Sequence, residues 1–125
     1  MVNDAQSKDK ELYQKATSYL HTIGLPLHVM GFVYMREAVK ICVKNNSLRF
    51  GKVFKKIYES IADMTGTTAA AIERNIRHAI DTLDGVKLKK INGLIGSEYF
   101  SENNKPTNSM VINLLADKIL MDMME

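Results

Sequence analysis

The sequence predicts an all-α fold: a compact multi-helix domain with a helix-turn-helix at its centre. Three observations carry that expectation. Apolar residues recur at helical spacing in successive segments, no run alternates with the two-residue period of a strand, and Ile61 to Ile80 reads as two short helices hinged at Gly66. A length of 125 residues with 46% hydrophobic content suffices for one domain with a real core and gives no reason for two. That domain is expected over residues 11–125, behind a polar N-terminal segment, 1–10.

The first helix is expected from about Lys8 to Ile23. Leu12, Ala16, Tyr19, Leu20 and Ile23 form one face, and Gly24 and Pro26 close it. His28 to Lys44 is apolar nearly all round its first half, which suits a central helix packed on several sides, ended by Asn45-Asn46-Ser47. Leu48, Val53, Phe54, Ile57 and Ile61 continue a helical pattern, either as one helix or as two broken near Tyr58-Glu59; the break suits the hinge better. Thr65-Gly66-Thr67-Thr68 supplies a glycine for the bend and a threonine hydroxyl able to cap the next helix. Ile72, Ile76, Ala79, Ile80 and Leu83 then repeat as a buried stripe until Asp84-Gly85. A short helix is expected over Lys87 to Ile95, a polar loop over Gly96 to Pro106, and a last helix over Asn108 to Met123. On that helix Ile112, Leu115, Ala116, Ile119, Leu120 and Met123 share a face, which Met110, Leu114, Met121 and Met124 widen. Such width serves either the centre of the core or a surface for a partner or a second copy.

Composition excludes several classes. The single Cys42 permits no disulfide framework, and its apolar surroundings from Val39 to Val43 mark a core thiol without a neighbouring base. His21, His28 and His78 have no acid or cysteine at ligand spacing. Gly93-Leu94-Ile95-Gly96 lacks the Lys-Ser or Lys-Thr of a phosphate loop. No enzyme, cofactor or metal is therefore expected. No window reaches the length of a membrane span, and Met1 to Lys10 is too polar for a signal peptide, so a cytoplasmic protein is expected.

Net charge is only +3, but it is unevenly spread. From Arg36 to Lys56 seven basic residues face Glu37 alone, whereas Glu98 to Glu125 holds five acids and two lysines. A basic stretch ahead of a helix-turn-helix suits DNA phosphates. At 100° per residue, Ala70, Arg74, Arg77 and Asp81 lie opposite the buried stripe of the second helix, flanked by Glu73 and Ala71. Arg74 and Arg77 can each fork onto guanine, and Glu73 can accept from cytosine. These three are the expected base readers. Thr67, Thr68, His78, Lys52, Lys55 and Lys56 are the expected contacts to the DNA backbone.

From about Tyr19 to Leu120 the chain resembles the C-terminal effector domain of the sporulation master response regulator, the stage zero sporulation protein A family. Three ordered blocks carry the resemblance. They are Ile23-Gly24 with Pro26, His28, Gly31, Tyr34 and Arg36-Glu37-Ala38; Thr67-Thr68-Ala69 with Glu73-Arg74 and Ile76-Arg77-His78-Ala79-Ile80; and Lys105-Pro106-Thr107-Asn108-Ser109 with Ala116-Asp117-Lys118. The resemblance implies an all-helical domain that binds double-stranded DNA at a short promoter element and contacts RNA polymerase sigma factor.

Three departures accompany it. Family members carry a phosphoacceptor receiver ahead of the effector, and the residues before Tyr19 are too few to be one, so an effector without a receiver in this chain is expected. Ala70 and Ala71 stand where the family has serine and arginine, removing one DNA-facing guanidinium. Glu59 follows Tyr58 where the family often has proline. Two functions follow: a sequence-specific transcription regulator, with a possible homodimer on DNA, or an interaction module that dimerises with or sequesters a full-length regulator or sigma factor.

Overall fold

A computed structural model of the chain describes residues 4–27 and 29–124; His28 lies outside them. Within them are six α-helices and no β-strand: α1 Asp4–Thr22, α2 Met30–Lys44, α3 Lys55–Thr65, α4 Ala69–Asp81, α5 Gly85–Ile95 and α6 Asn108–Met123. The all-α expectation with a central helix-turn-helix therefore holds. The last helix has the bounds read from the sequence.

Burial follows the periodic stripes. Leu12, Ala16 and Leu20 of α1 are buried, and Gly24, at φ +90°, turns the chain back over Leu25. Phe32, Met35, Ala38, Val39 and Cys42 of α2 are fully enclosed, because α1, α3, α4 and α6 all pack against this helix. A Cβ on Gly31 would stand 2.7 Å from both the Ala79 Cβ and the Asn75 carbonyl oxygen. Only a glycine lets α2 and α4 approach that closely.

Several boundaries differ from the sequence reading. α1 begins at Asp4, inside the stretch expected as a polar segment, where Asp9 pairs with Lys44 at 2.7 Å; beyond that stretch Tyr13 stacks under the Arg36 guanidinium. The break expected at Tyr58-Glu59 is absent: α3 runs through it unbroken. The interruption falls earlier, in two short 3-10 turns at Asn46–Leu48 and Gly51–Phe54, where Phe50 is extended and Gly51 has φ +75°. A left-handed glycine after an extended residue stops a helix that the apolar spacing alone would continue. Asp84 does not end α4 but starts α5, its carboxylate accepting from the Lys87 amide at 3.0 Å.

The remaining loop is pinned from inside. Buried Asn92 donates to the Phe100 carbonyl at 2.8 Å and accepts from the Phe100 amide at 3.0 Å, satisfying both groups away from water. On α6, Val111, Ile112, Leu115, Ala116 and Ile119 are buried, while Met110, Met121 and Met124 are exposed. The width of that face is thus divided between core and surface.

Candidate nucleic-acid interface

The hinge between α3 and α4 is built by hydrogen bonds the sequence spells out. Gly66 adopts φ +74°, and the amides of Gly66 and Thr67 both donate to the Ala62 carbonyl, at 2.9 and 3.2 Å. This left-handed closure satisfies the end of α3 and reverses the chain within three residues. Extended Thr68 then caps α4, its hydroxyl oxygen accepting from the Ala71 amide at 3.1 Å. The hydroxyl hydrogen stays free to donate outward.

α4 is sharply two-sided. Ile72, Ile76, Ala79 and Ile80 are buried, whereas Ala70, Glu73, Arg74, Arg77, His78 and Asp81 are exposed and Ala71 is half-buried. Arg74 forms no ion pair among the described residues. Arg77 reaches Glu73 at 3.6 Å. Asn75, which the sequence reading passed over, folds its amide back onto the Ala71 carbonyl at 2.8 Å. All three expected base readers therefore lie on the exposed side of one helix.

The basic stretch divides. Arg36 stacks on Tyr13, Lys40 pairs with Glu37 at 3.3 Å, and Lys44 pairs with Asp9. Arg49 is buried: it donates to the Asn113 side-chain oxygen at 2.7 Å, the Asn113 carbonyl at 3.1 Å and Asp117 at 2.6 Å. Four of the seven thus have partners within the domain, which narrows the basic stretch to three unpaired cations among the described residues. For Arg36, Lys44 and Arg49 the sequence could not show this, because their partners on α1 and α6 are distant in the chain; Lys40 and Glu37 are an i,i+3 pair on α2. Lys52, Lys55 and Lys56 remain exposed and unpaired among the described residues.

The start of α6 and the loop before it touch this unit. Asn108 donates to the Glu73 carbonyl at 3.1 Å and to the Tyr58 hydroxyl at 3.4 Å, and Lys105 donates to the Asp81 carbonyl at 2.9 Å. Burial raises the Tyr58 phenol, with the Asn108 bond acting in the opposite sense. Between α4, Gly51–Phe54 and Lys105–Ser109 lies an open cleft of about 630 Å³, with Glu73 and Arg77 on its wall. Nothing local in the sequence marks this contact of Lys105 and Asn108; only the Thr107 cap signals the place.

His21 and His78 are exposed, and among the described residues no three His, Cys, Asp or Glu side chains cluster as metal ligands; the expectation for His28 lies outside the described residues. No described helix is long and apolar enough to cross a membrane. Residues 16–119, from the middle of α1 almost to the end of α6, match the family model described as Sporulation initiation factor Spo0A C terminal.

Proposed function

This chain belongs to the family of the Spo0A C-terminal domain, the DNA-binding effector domain of a sporulation regulator, and from that membership we propose that it is a sequence-specific transcription regulator reading duplex DNA with α4. The observation that carries the reading is the two-sidedness of α4: four buried apolar residues hold it to the domain while Arg74 and Arg77 stand outside. Laid in a major groove, those guanidinium forks meet the O6 and N7 edge of guanine and Glu73 accepts from a cytosine amino group. Ala70 and Ala71 bring no fork to the first turn. Their methyl groups suit an apolar contact with the thymine 5-methyl.

Thr67, Thr68, His78, Lys52, Lys55 and Lys56 hold the phosphates in this reading. Lys55 and Lys56 add an electrostatic argument. They occupy the first turn of α3, whose N-terminus has neither an acid nor a side-chain cap, so two positive charges sit at the positive end of the helix dipole. A DNA phosphate there relieves both. The reading entails a cytoplasmic location, where the DNA is.

For protein partners, the sigma factor implied by the resemblance or a second copy on DNA, the exposed patch of Phe50, Tyr99 and Met110 is the apolar surface on offer, beside a groove of about 460 Å³. The interaction-module alternative draws less support, because the family is a DNA-binding one.

The test is selection of duplexes from a randomised pool, followed by binding titrations of the enriched duplex and a scrambled one. The wild type is expected to prefer the enriched duplex and Arg77→Ala to lose much of that preference. Equal affinity of both proteins for both duplexes overturns the reading.

A further inference from the structure

We infer that Asn108 and Lys105 are positioning residues for DNA recognition: a clasp from the start of α6 that fixes the register in which α4 presents Arg77. The inference rests on the proposed reading of α4 and adds residues that need not touch DNA.

The placement of the two bonds is the argument. Asn108 holds the carbonyl of Glu73 and Lys105 that of Asp81, which are the fourth residues before and after Arg77. Along a helix that separation is about 12 Å, so the clasp spans the turns that present the guanidinium on either side. The Asp81 carbonyl is one of the last-turn acceptors that intrahelical bonds leave open, and an ammonium at a helix C-terminus is electrostatically favoured. The Glu73 carbonyl lies mid-helix, so Asn108 adds a second donor to an acceptor already used within α4. The Tyr58 hydroxyl completes the contact and ties the same amide to α3. One side chain therefore bonds to both helices of the helix-turn-helix.

Apolar packing seats α4 against the domain but fixes its rotation less sharply than directional bonds do. Isoleucine and alanine contacts are non-directional. Hydrogen bonds are not, and a bidentate contact to a base edge depends on angle. α6 is itself anchored farther along the same cleft, where buried Arg49 binds Asn113 and Asp117. The clasp thus refers the position of Arg77 to the body of the domain.

Asn108→Asp tests this in the full chain. The substitution keeps the shape but removes the donor, and a carboxylate in the first turn of α6 favours that helix. Affinities are measured for a duplex enriched by the wild type from a randomised pool and for its scrambled counterpart, together with melting temperature and the salt dependence of binding. The expected result is a fall of about tenfold in the enriched-to-scrambled ratio, with melting temperature and salt slope retained. An unchanged ratio overturns the clasp while leaving the DNA-reading proposal standing. Absence of any preference in the wild type overturns the DNA-reading proposal and the clasp with it. If Asn108→Asp lowers the melting temperature as well, Lys105→Met decides: a reduced ratio at wild-type melting temperature supports the clasp, and an unchanged ratio overturns it.

Discussion

The guanidinium of Arg77 stands 3.6 Å from the carboxylate of Glu73, one turn earlier on α4, with both side chains about half exposed. In water such a pair contributes only a few tenths of a kcal/mol, so it does not hold the helix together. In the proposed reading of α4, Glu73 offsets part of the attraction of Arg77 for DNA. Glu73→Ala is expected to bind scrambled duplex more tightly than the wild type and to discriminate less. Arg77→Ala is expected to lose about 1–3 kcal/mol of discrimination. Paired titrations against enriched and scrambled duplexes read both effects.

Lys52, Lys55 and Lys56 are expected to differ from the paired lysines upstream. Changing each to Gln should flatten the slope of log affinity against log salt by about one unit per residue. Lys44→Gln serves as the internal comparison, since Lys44 is already held by Asp9 at 2.7 Å. It should leave the slope unchanged. Titration at a series of salt concentrations separates the two sets.

Ala71→Arg should restore a guanidinium to the first turn of α4. The expected gain is about 1–3 kcal/mol toward duplexes with an additional guanine at the facing position. Selection from a randomised pool by each protein gives the measurement. Identical enriched sequences from both would count against the first turn facing the bases.

Two glycine substitutions should have opposite signs. Gly31→Ala puts a methyl 2.7 Å from the Ala79 Cβ and from a backbone carbonyl of α4, forcing the helices apart at a cost of about 1–3 kcal/mol. Gly93→Ala, within α5, meets no atom within 4 Å and should stabilise by up to about 1 kcal/mol. Urea midpoints of the two variants test the contrast.

Stability should fall at high pH. Burial pushes the Cys42 thiol up from near 9 to about 11, and burial together with the Asp122 bond pushes the Tyr19 phenol up to about 12. Both groups keep their protons in the folded chain while the unfolded chain releases them, so their contribution is complete below about pH 9 and is lost progressively toward pH 12. Unfolding curves between pH 8 and 11 should show the decline, and Cys42→Ala should make it shallower. At pH 8 the folded thiol should resist a disulfide reagent that modifies it readily in urea.

Helix positions were legible because their apolar spacing and caps are local. Thr107 and the stripe Ile112, Leu115, Ala116 and Ile119 define α6, and the Gly66 closure follows from the only residue type that enters the left-handed region without strain. The exposed placement of Glu73, Arg74 and Arg77 likewise follows from 100° per residue. What the local pattern could not convey was partnership across the chain. Arg49 looks like another surface cation until Asn113 and Asp117 of α6 enclose it, and Asn108 looks like a helix start until Tyr58 and Glu73 lie beside it. The helical appearance of Leu48 to Phe54 failed for a different reason: helical spacing in a short run does not exclude 3-10 turns around a left-handed Gly51.

The division of α4 into a buried stripe and an unattached outer face also bears on heredity. Ala70, Arg74 and Arg77 are exposed and Ala71 is half-buried, so under the proposed reading of α4 single-codon changes there alter recognition at little cost to the fold. On that reading, duplicated copies of such a gene diverge in what they bind one substitution at a time, with the buried stripe of α4 untouched. The alanines at 70 and 71 are the kind of alteration this architecture tolerates.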